Sequence, residues 1–297
     1  MTPEGLLSLA RDGDLEALGA EREAVADAVR AFVEASDPAS ALELVGRAWR
    51  IWFTRGELDE GSAVAVTALA APGAEAVPVW RARALYADGL FAFRSGDQPR
   101  ALARNEEALR VARETDDVRG ECDALTGLAR VALRDGRYGD VVALATRARE
   151  RARAVSDVEA EASPLHLQAA GVRLQQDYEA ARELYLESLE LNAALGNAAW
   201  VAMEQHNLGW VELHLGNVDE AEARFHERDA QAADDAYGDA WSNLNQAAIA
   251  AARGDTETAE RLFDSGKQAL ERLGMALDPD DRSELEWLSG QLGPFGT

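Results

Sequence analysis

The sequence predicts an all-α protein, a solenoid of about six helical hairpins with a helical cap at each end. Two observations carry this prediction: a turn-like motif recurs at a nearly fixed period, and small and apolar residues recur at helical spacing on both sides of it. Composition agrees, because Ala, Leu, Glu and Arg dominate long stretches and only 8 of the 297 residues are proline. Such a composition is typical of packed helices, and strands are not expected.

The period is set by turns that are centred on glycine or, once, on glutamine. The first five turns are spaced 40 residues apart and the last follows after 38, with centres at Gly56, Gly96, Gly136, Gln176, Gly216 and Gly254. A period in this range is the signature of a repeat array in which each unit buries its apolar face against its neighbours. Glycine suits the left-handed residue that ends a helix, and a following Asp or Asn can cap the next helix.

Each turn therefore joins two helices, which we call helix A before the turn and helix B after it. In the fifth repeat the helix A pattern includes Leu208 and Val211, and the helix B pattern includes Ala221 and Phe225. A small residue stands seven positions before each of five turns: Gly89, Ala129, Ala169, Gly209 and Ala247. Small residues allow two helices to approach closely, so we expect tight contact at these positions.

The ends of the array are expected to differ from the central repeats. Residues 1–36 are predicted to form a degenerate N-terminal capping hairpin, residues 37–274 the six repeats, and residues 275–297 a C-terminal capping helix and tail. Terminal repeats must present a polar outer face, so divergence is expected there. Asp278 and Pro279 resemble an N-cap followed by proline in a first helical turn.

Proline also occurs inside a predicted helix. Pro164 falls within helix A of the fourth repeat, where it removes a hydrogen bond and crowds the preceding turn. A kink is expected at this point.

The fifth repeat, with Leu208-Gly209, Leu215-Gly216-Asn217, Ala221 and Phe225, resembles the tetratricopeptide (TPR) pattern in its longer, roughly forty-residue form. The resemblance covers about residues 41–274. It implies a right-handed solenoid whose concave groove is lined by the A helices. The first repeat, around Trp49 and Gly56, is also similar to units of the sensor arrays attached to bacterial ATPase-type transcription regulators. Two departures are Gln176 in place of the turn glycine and Trp49 in place of a small helix A residue.

Charge and targeting signals restrict the partners and the compartment. The 30 basic and 54 acidic residues leave a net charge of −24, which repels a phosphate backbone, so nucleic acid is not an expected partner. The N-terminus lacks the basic and apolar regions of a secretory signal, and the single cysteine cannot form an internal disulfide. No apolar run approaches the ~20 residues needed to cross a bilayer. The sequence predicts a cytoplasmic protein with no membrane partner.

Motifs for catalysis, cofactors and metals are not found in the sequence. It has no G-x-G-x-x-G, no complete P-loop and no G-x-S-x-G motif, and Cys122 has no neighbouring histidine. His206 and His214 are eight residues apart, or about 12 Å along a helix at ~1.5 Å per residue, whereas zinc ligands lie within about 2.1 Å of one ion. We therefore expect no enzyme activity, no cofactor and no metal site, and we expect Cys122 to be a core residue.

Candidate ligand-binding residues lie on a second stripe of helix A, about 110° from the stripe that packs inside the repeat. The TPR resemblance implies that this stripe lines the groove. It is rich in Arg, His, aromatic and amide side chains, with Glu43 and Asp123 as acidic exceptions. The candidate residues are Arg50, Arg83, Tyr86, Arg94, Arg130, Arg134, His166, Arg173, His206, Asn207, Trp210, His214, Trp241 and Asn245.

The stripe predicts a non-catalytic interaction module that binds a peptide or protein segment, with acidic groups on the partner, in the concave groove. Arginine forks suit carboxylates, and arginine and aromatic residues often anchor interfaces. An alternative is a sensor for a small anionic metabolite or signalling molecule, which needs only one sub-pocket. A structural alternative also stays open: the arginines bridge acidic neighbours, and Trp210 and Trp241 pack between repeats as core.

Overall fold

In a computed structural model, which describes residues 1–231, 236–273 and 277–292, all regular secondary structure is helical. The all-α prediction is therefore confirmed over these residues. Residues 274–276 and 293–297, which belong to the predicted sixth repeat and C-terminal cap, lie outside them. The helices are α1 (Pro3–Asp12), α2 (Leu15–Ala20), α3 (Arg22–Glu34), α4 (Pro38–Ala48), α5 (Arg50–Phe53), α6 (Leu58–Leu69), α7 (Pro78–Arg94), α8 (Gln98–Glu114), α9 (Val118–Arg134), α10 (Tyr138–Ala154), α11 (Val158–Leu174), α12 (Tyr178–Ala194), α13 (Ala198–His214), α14 (Val218–Gln231), α15 (Ala236–Ala252), α16 (Thr256–Leu273) and α17 (Pro279–Leu292).

The six predicted turns are confirmed. Each separates two helices, and each central residue takes the left-handed conformation: the φ angles are 75° at Gly56, 84° at Gly96, 72° at Gly136, 67° at Gln176, 81° at Gly216 and 80° at Gly254. Glycine is favoured there because it has no Cβ to collide with the backbone. Helices α7 to α16 thus alternate between helix A and helix B.

A second set of turns, which was not predicted, lies between the hairpins. Its central residues also have positive φ: Ser36 at 59°, Asp116 at 52°, Ser156 at 56° and Gly196 at 72°. An Asp or Asn follows each of them, and two of these carboxylates cap the next helix, with Asp37 accepting from the N–H of Ser40 and Asp157 from that of Ala160. The chain therefore turns about every 20 residues. Between the first and second repeats the turn is shifted to Gly73 and is followed by a 3-10 turn, Ala74–Ala76.

Replacing Gln176 with glycine is expected to stabilise the protein. A side chain in the left-handed region costs about 1–2 kcal/mol, and glycine removes most of this cost at a modest loss in unfolded-chain entropy. Urea unfolding should show a gain of about 1 kcal/mol. The reverse change, Gly216→Gln, lies in the same turn of the next repeat and should destabilise by a similar amount. Equal stability of wild type and Gln176→Gly would show that the turn is not strained.

Small residues mark the close approaches of helices A and B. A Cβ on Gly209 would collide with the Phe225 ring, and one on Gly89 would lie 2.7 Å from Nδ2 of Asn105. Ala129, Ala169 and Ala247, at the equivalent positions, are fully buried. The sequence-based expectation of tight contact is confirmed at these sites.

Three local features differ from the regular repeat. Residues 1–36 contain three helices, α1 to α3, where a hairpin is predicted. Helix A of the first repeat is divided at Trp49 into α4 and α5. Pro164 lies inside α11 without ending it, since its missing N–H removes one hydrogen bond of a 17-residue helix.

The chain forms two compact units. The N-terminal unit comprises Met1–Ala132 with Arg147–Ala160, and the C-terminal unit comprises Leu133–Thr146 with the described residues from Glu161 on. Large side chains that are fully buried include Trp52 and Phe91 in the first unit, and Tyr185, Trp210 and Trp241 in the second. None of the described helices is long and apolar enough to cross a membrane.

Candidate functional site

In the N-terminal unit, several predicted groove residues meet on an aromatic–arginine surface. We define it by the rings of Trp49, Phe53 and Tyr86 and by Arg50, Arg94 and Arg130. The Trp49 ring contacts those of Phe53 and Tyr86 edge-on, with centroids 5.4 and 5.9 Å apart. Because the helices that carry these residues are packed side by side, their aromatic side chains form one continuous patch.

Two arginines of this surface are exposed and lie over ring faces. The Arg50 guanidinium is 4.7 Å from the Trp49 centroid, and that of Arg94 is 5.5 Å from the Phe53 centroid. Among the described residues, neither guanidinium forms a hydrogen bond or a salt bridge, so their donors face solvent. Arg130, by contrast, donates to the Tyr86 hydroxyl at 3.2 Å. The surface combines cation–π contacts with charged donors that remain accessible.

Arg83 lies at the edge of this region but is neutralised. Its guanidinium donates to both carboxylate oxygens of Asp117, the closer at 3.0 Å. Arg119 forms a similar bridge, to Asp157 at 2.7 Å and to Asp123 at 3.4 Å. Burial raises the pKa of Asp123, although the arginines oppose the shift. Asp117 therefore already occupies donors of Arg83, a predicted groove residue.

Cys122 is a core residue, as the sequence predicts. Its thiol is buried and donates to the Ala148 carbonyl at 3.4 Å. Burial and the nearby Asp123 carboxylate raise the pKa of the thiol to about 12. The thiol is therefore protonated at neutral pH, which makes it a poor nucleophile.

In the C-terminal unit, four predicted groove residues are buried between repeats: Asn207, Trp210, Trp241 and Asn245. Indole Nε1 of Trp210 donates to Oδ1 of Asn245 at 3.0 Å. This bond fixes the Asn245 amide, so its Nδ2 donates to Nδ1 of His206 at 3.3 Å. His206 then carries its proton on Nε2, which donates to Glu284 at 3.2 Å. These residues form a core network, as the structural alternative for the tryptophans expects.

Helix α17 lies across the A helices of this unit, on the side where the sequence places the groove. Carboxylates of α17 and of Asp278, the residue before it, meet two predicted groove residues: Asp278 pairs with Arg134 at 3.1 Å, and Arg173 donates to Glu284 and, at 3.3 Å, to Asp280. The Trp287 ring packs edge-on against Trp210, with centroids 5.8 Å apart, and against His214, at 5.1 Å. Contacts of α17 therefore extend beyond the last hairpin to α13 and α11, and Asp278, which precedes the helix, reaches the end of α9.

The Arg134–Asp278 pair of this contact is partly exposed, but the Arg173–Glu284 pair is desolvated. Arg173 is 5% exposed and Glu284 is 3% exposed, so the pair is removed from water. Two buried polar atoms nearby, Nε of Arg173 and the hydroxyl of Tyr185, have no hydrogen-bond partner among the described residues. A buried polar group without a partner is costly, so α17 satisfies this site incompletely.

The histidines on this face have different environments. Burial alone would lower the pKa of His166, but the Glu204 carboxylate, 3.0 Å from its Nδ1, outweighs burial and raises the pKa. Burial and the Arg173 charge lower the pKa of His214 to about 4, and its ring is stacked on Tyr178. In the ranges 1–231, 236–273 and 277–292, no group of three or more His, Cys, Asp or Glu side chains could hold a metal ion.

Raising the pH from 7 to 9 is expected to weaken the docking of α17. Asp281 lies 2.7 Å from the Tyr237 hydroxyl, and burial together with the Asp280 and Glu284 carboxylates raises its pKa to about 8. An unfolded Asp titrates near ~3.9, so the folded state holds a proton that the unfolded chain releases between about pH 4 and 8. The stability from this proton is complete below about pH 4 and is lost as the pH rises through about 8. His166, with its raised pKa, acts in the same direction. The lowered pKa of His214, which contacts Trp287, acts in the opposite direction, but its effect is nearly complete at about pH 7, the start of this range.

The measurement is the hydrogen-exchange protection factor of α17 amides, which corrects for the intrinsic pH dependence of exchange. The opening free energy derived from these protection factors should fall by on the order of 1 kcal/mol across this range. The change is moderate because Asp281 is half-buried, so water reduces the effect of its pKa shift. Asp281→Asn has no proton to lose and should flatten the curve. Protection that rises with pH in wild type would contradict the assignment.

The acidic side of this contact was not identified from the sequence. The predicted capping helix and its N-cap contain the acidic residues Asp278, Asp280, Asp281 and Glu284. They lie close in sequence to the apolar Trp287 and Leu288. Acidic and apolar residues combined in one short helix, in a chain with a stripe of Arg and His, are the sequence pattern that indicates this contact. Complementary charge between two distant segments indicates that they pair.

A surface cavity of about 330 Å³ lies in the N-terminal unit between α3 and α6, away from the predicted groove residues. Its charged lining consists of Glu23, Asp27, Arg30 and Glu60, so acidic groups predominate. Such a lining disfavours an anionic ligand. Around His206 and Trp210, the structure places Glu284 and Trp287 of α17 against these two side chains.

No model of a known protein family matches the sequence, and a search of curated proteins finds no significant relative. Solved structures do match. BtubC (BKLC) from P. vanneervenii is 21% identical, with 75% of this chain and 94% of that chain covered and a TM-score of 0.58. A tetratricopeptide repeat protein from Parabacteroides merdae is 15% identical, with 97% and 98% covered and a TM-score of 0.55. NprR in complex with its cognate peptide NprX is 14% identical, with 96% and 82% covered and a TM-score of 0.60.

At these identities the matches show the fold alone. The chain has the fold of tetratricopeptide-repeat proteins, which confirms the resemblance drawn from its fifth repeat.

Proposed function

We propose that this chain is a non-catalytic interaction module that binds an acidic peptide or protein segment on the face of its A helices. The observation that carries the proposal is the aromatic–arginine surface of the N-terminal unit. Arg50 and Arg94 are exposed, lie over aromatic rings and keep their donors directed to solvent. NprR, which shares the fold, is known in complex with a peptide, and this supports the choice of a peptide over a small molecule.

The chemistry of the surface favours carboxylates. A guanidinium presents a planar set of donors that matches a carboxylate in a bidentate geometry. Stacking on Trp49 and Phe53 holds Arg50 and Arg94 in place before a ligand arrives, which lowers the entropy lost on binding. The rings add apolar contact area for the ligand's side chains.

The net charge of −24 does not prevent such binding. At ~0.1 M ionic strength the Debye length is about 10 Å, so remote carboxylates are screened, whereas a ligand carboxylate within hydrogen-bond distance of Arg50 or Arg94 is not. Selectivity for acidic segments then depends on these local arginines.

The test is selection of a displayed random-peptide library on the intact protein, followed by affinity measurements on the enriched peptides. Enriched sequences should be rich in Asp and Glu. The double variant Arg50→Ala/Arg94→Ala should bind them about tenfold more weakly, because two partly exposed charge contacts are lost. Arg110→Ala is the matched control, since Arg110 is exposed on helix B and pairs with Glu114 at 2.8 Å. Neutral or basic enriched peptides, or equal affinity of the double variant, would refute the proposal.

A further inference from the structure

We infer that the surface beneath α17 is a second binding site, for an acidic amphipathic helix of a partner protein, and that α17 is its intramolecular occupant. The inference deepens the proposed function, on which it rests for the idea that A helices receive acidic segments. The residues of this second site differ from those of the aromatic–arginine surface, and all of them lie in the C-terminal unit.

The position of α17 is the first argument. Four of the predicted groove residues contact it, namely Arg173, His206, Trp210 and His214, and a fifth, Arg134, pairs with Asp278 immediately before it. They come from three successive A helices, α9, α11 and α13, and Tyr237 of α15 adds a fourth. The helix packs on the last hairpin, α15 and α16, as a cap would. Its contacts with α11 and α13 go beyond what a cap needs, and they fall on residues that the sequence assigns to a ligand.

The chemistry of α17 defines the class of ligand. One set of side chains is acidic, with Asp278, Asp280 and Glu284 on Arg134 and Arg173. Asp280 and Glu284 are four residues apart, so they project from the same side of a helix. The apolar set includes Leu288, which is fully buried, and Trp287. A partner helix with two carboxylates one turn apart, followed by a bulky aromatic residue, would make the same contacts.

The charges and unpaired donors in this contact indicate that a partner helix could replace α17. The Arg173–Glu284 pair is almost fully desolvated, and the desolvation of such a pair offsets much of its attraction. Nε of Arg173 and the Tyr185 hydroxyl have no partner among the described residues although both side chains are buried. Asp281 is also half-buried among the carboxylates of its own helix. A partner helix that supplies acceptors to these donors and lacks the counterpart of Asp281 would bind more tightly than α17.

The short connection between α16 and α17 determines how strongly α17 competes with a partner helix. Helix α16 ends at Leu273 and α17 begins at Pro279, so α17 is tethered by a short segment and its effective concentration is high, about millimolar. A partner must displace it. If α17 is docked in about 99% of molecules, the apparent dissociation constant of a competing helix is raised about 100-fold. A change that weakens α17 should therefore increase the affinity for the partner.

The experiment uses the full chain and a fluorescent peptide with the sequence of residues 277–292 as the probe. A release variant, Glu284→Ala/Leu288→Ala, is altered only on α17. It should bind the wild-type peptide at least about tenfold more tightly than the wild-type chain does. Adding Arg173→Gln to the release variant should abolish the gain, and a peptide with Asp280→Asn and Glu284→Gln should bind weakly to all chains. Arg253→Gln, an exposed arginine of the same unit, is the control for a general loss of positive charge.

Native-state hydrogen exchange of the wild-type chain provides an independent measurement if the release variant is poorly folded. Amides of α17 should exchange through an opening that leaves α13 and α15 protected. Three results overturn the inference: equal peptide affinity of wild type and release variant, α17 amides that exchange only with the whole unit, or a wild-type dimer that exchanges α17 between copies. If these occur while acidic peptides bind the aromatic–arginine surface, the proposed function stands and only this inference fails.

Discussion

Arg173→Met is expected to destabilise the C-terminal unit by about 3–5 kcal/mol. Removal of one partner leaves the Glu284 carboxylate buried, and an uncompensated buried charge costs this much. Among the described residues, only the hydrogen bond from His206, at 3.2 Å, would remain to it. If α17 can leave its site, the carboxylate becomes hydrated and the loss is limited to the docking free energy of α17. Urea unfolding followed by near-UV circular dichroism, combined with exchange of α17 amides, separates the two cases.

Two further variants test the cause of this loss. Arg173→Met/Glu284→Leu removes both charges and fills the space with apolar groups, so it should recover most of the stability. Arg253→Met is the matched exposed control, because Arg253 also contacts two carboxylates, Asp219 and Glu222, each at 2.8 Å. Exposed pairs contribute little, and no measurable change is expected. A similar loss for Arg173→Met and Arg253→Met would show that burial of the pair is not what matters.

Gly127→Ala in helix α9 is expected to destabilise the N-terminal unit by about 2 kcal/mol or more, because of overpacking. Asn105 of α8 is buried, and its Nδ2 donates to the Ala101 carbonyl at 2.8 Å. A Cβ on Gly127 would lie 2.9 Å from this Nδ2 and closer still to the amide oxygen. Asn105 cannot retreat, since Gly89 of α7 is against its other side. Thermal unfolding of Gly139→Ala and of the Gly127→Ala/Asn105→Ala double variant establishes whether the collision is the cause.

The control is Gly139→Ala in α10, where a Cβ meets no atom within 4 Å. Alanine is preferred to glycine within a helix by about 0.8–1.0 kcal/mol, so this variant should be neutral or slightly stabilised. Asn105→Ala in the Gly127→Ala background should restore much of the lost stability, since it removes the colliding amide. Failure of that rescue would exclude overpacking as the cause.

The repeat architecture was accessible from the sequence because its strongest signal is local. Glycine at Gly56, Gly96 and Gly136 marks a backbone conformation that other residues avoid, and the fixed spacing repeats the signal. The turns between hairpins are harder to predict, because Ser36, Asp116 and Ser156 adopt the same conformation without glycine. The Asp that follows each was a weaker sign, since Asp occurs throughout this acidic chain.

The candidate site was only partly accessible. Helical periodicity locates the stripe that carries Trp210 and Trp241, but it does not distinguish a surface between repeats from a surface for a ligand. Both tryptophans are buried. The contact of Asp278 with Arg134 joins residues 144 positions apart, and no local pattern encodes such a pairing. The stripe could be identified from the sequence, whereas its occupant could not.

The uniform turns also bear on how such a chain lengthens or shortens during evolution. Turns within and between hairpins share a left-handed residue followed by an acidic or amide side chain in most cases, as at Ser156 and Gln176. Gain or loss of about forty residues between equivalent turns adds or removes a whole hairpin, so every other helix keeps its place as helix A or helix B. A change of about twenty residues would exchange helix A and helix B. The shifted turn at Gly73 breaks this register. Duplications and deletions of whole hairpins should therefore be tolerated after the second repeat begins, and be disfavoured across the segment that precedes it.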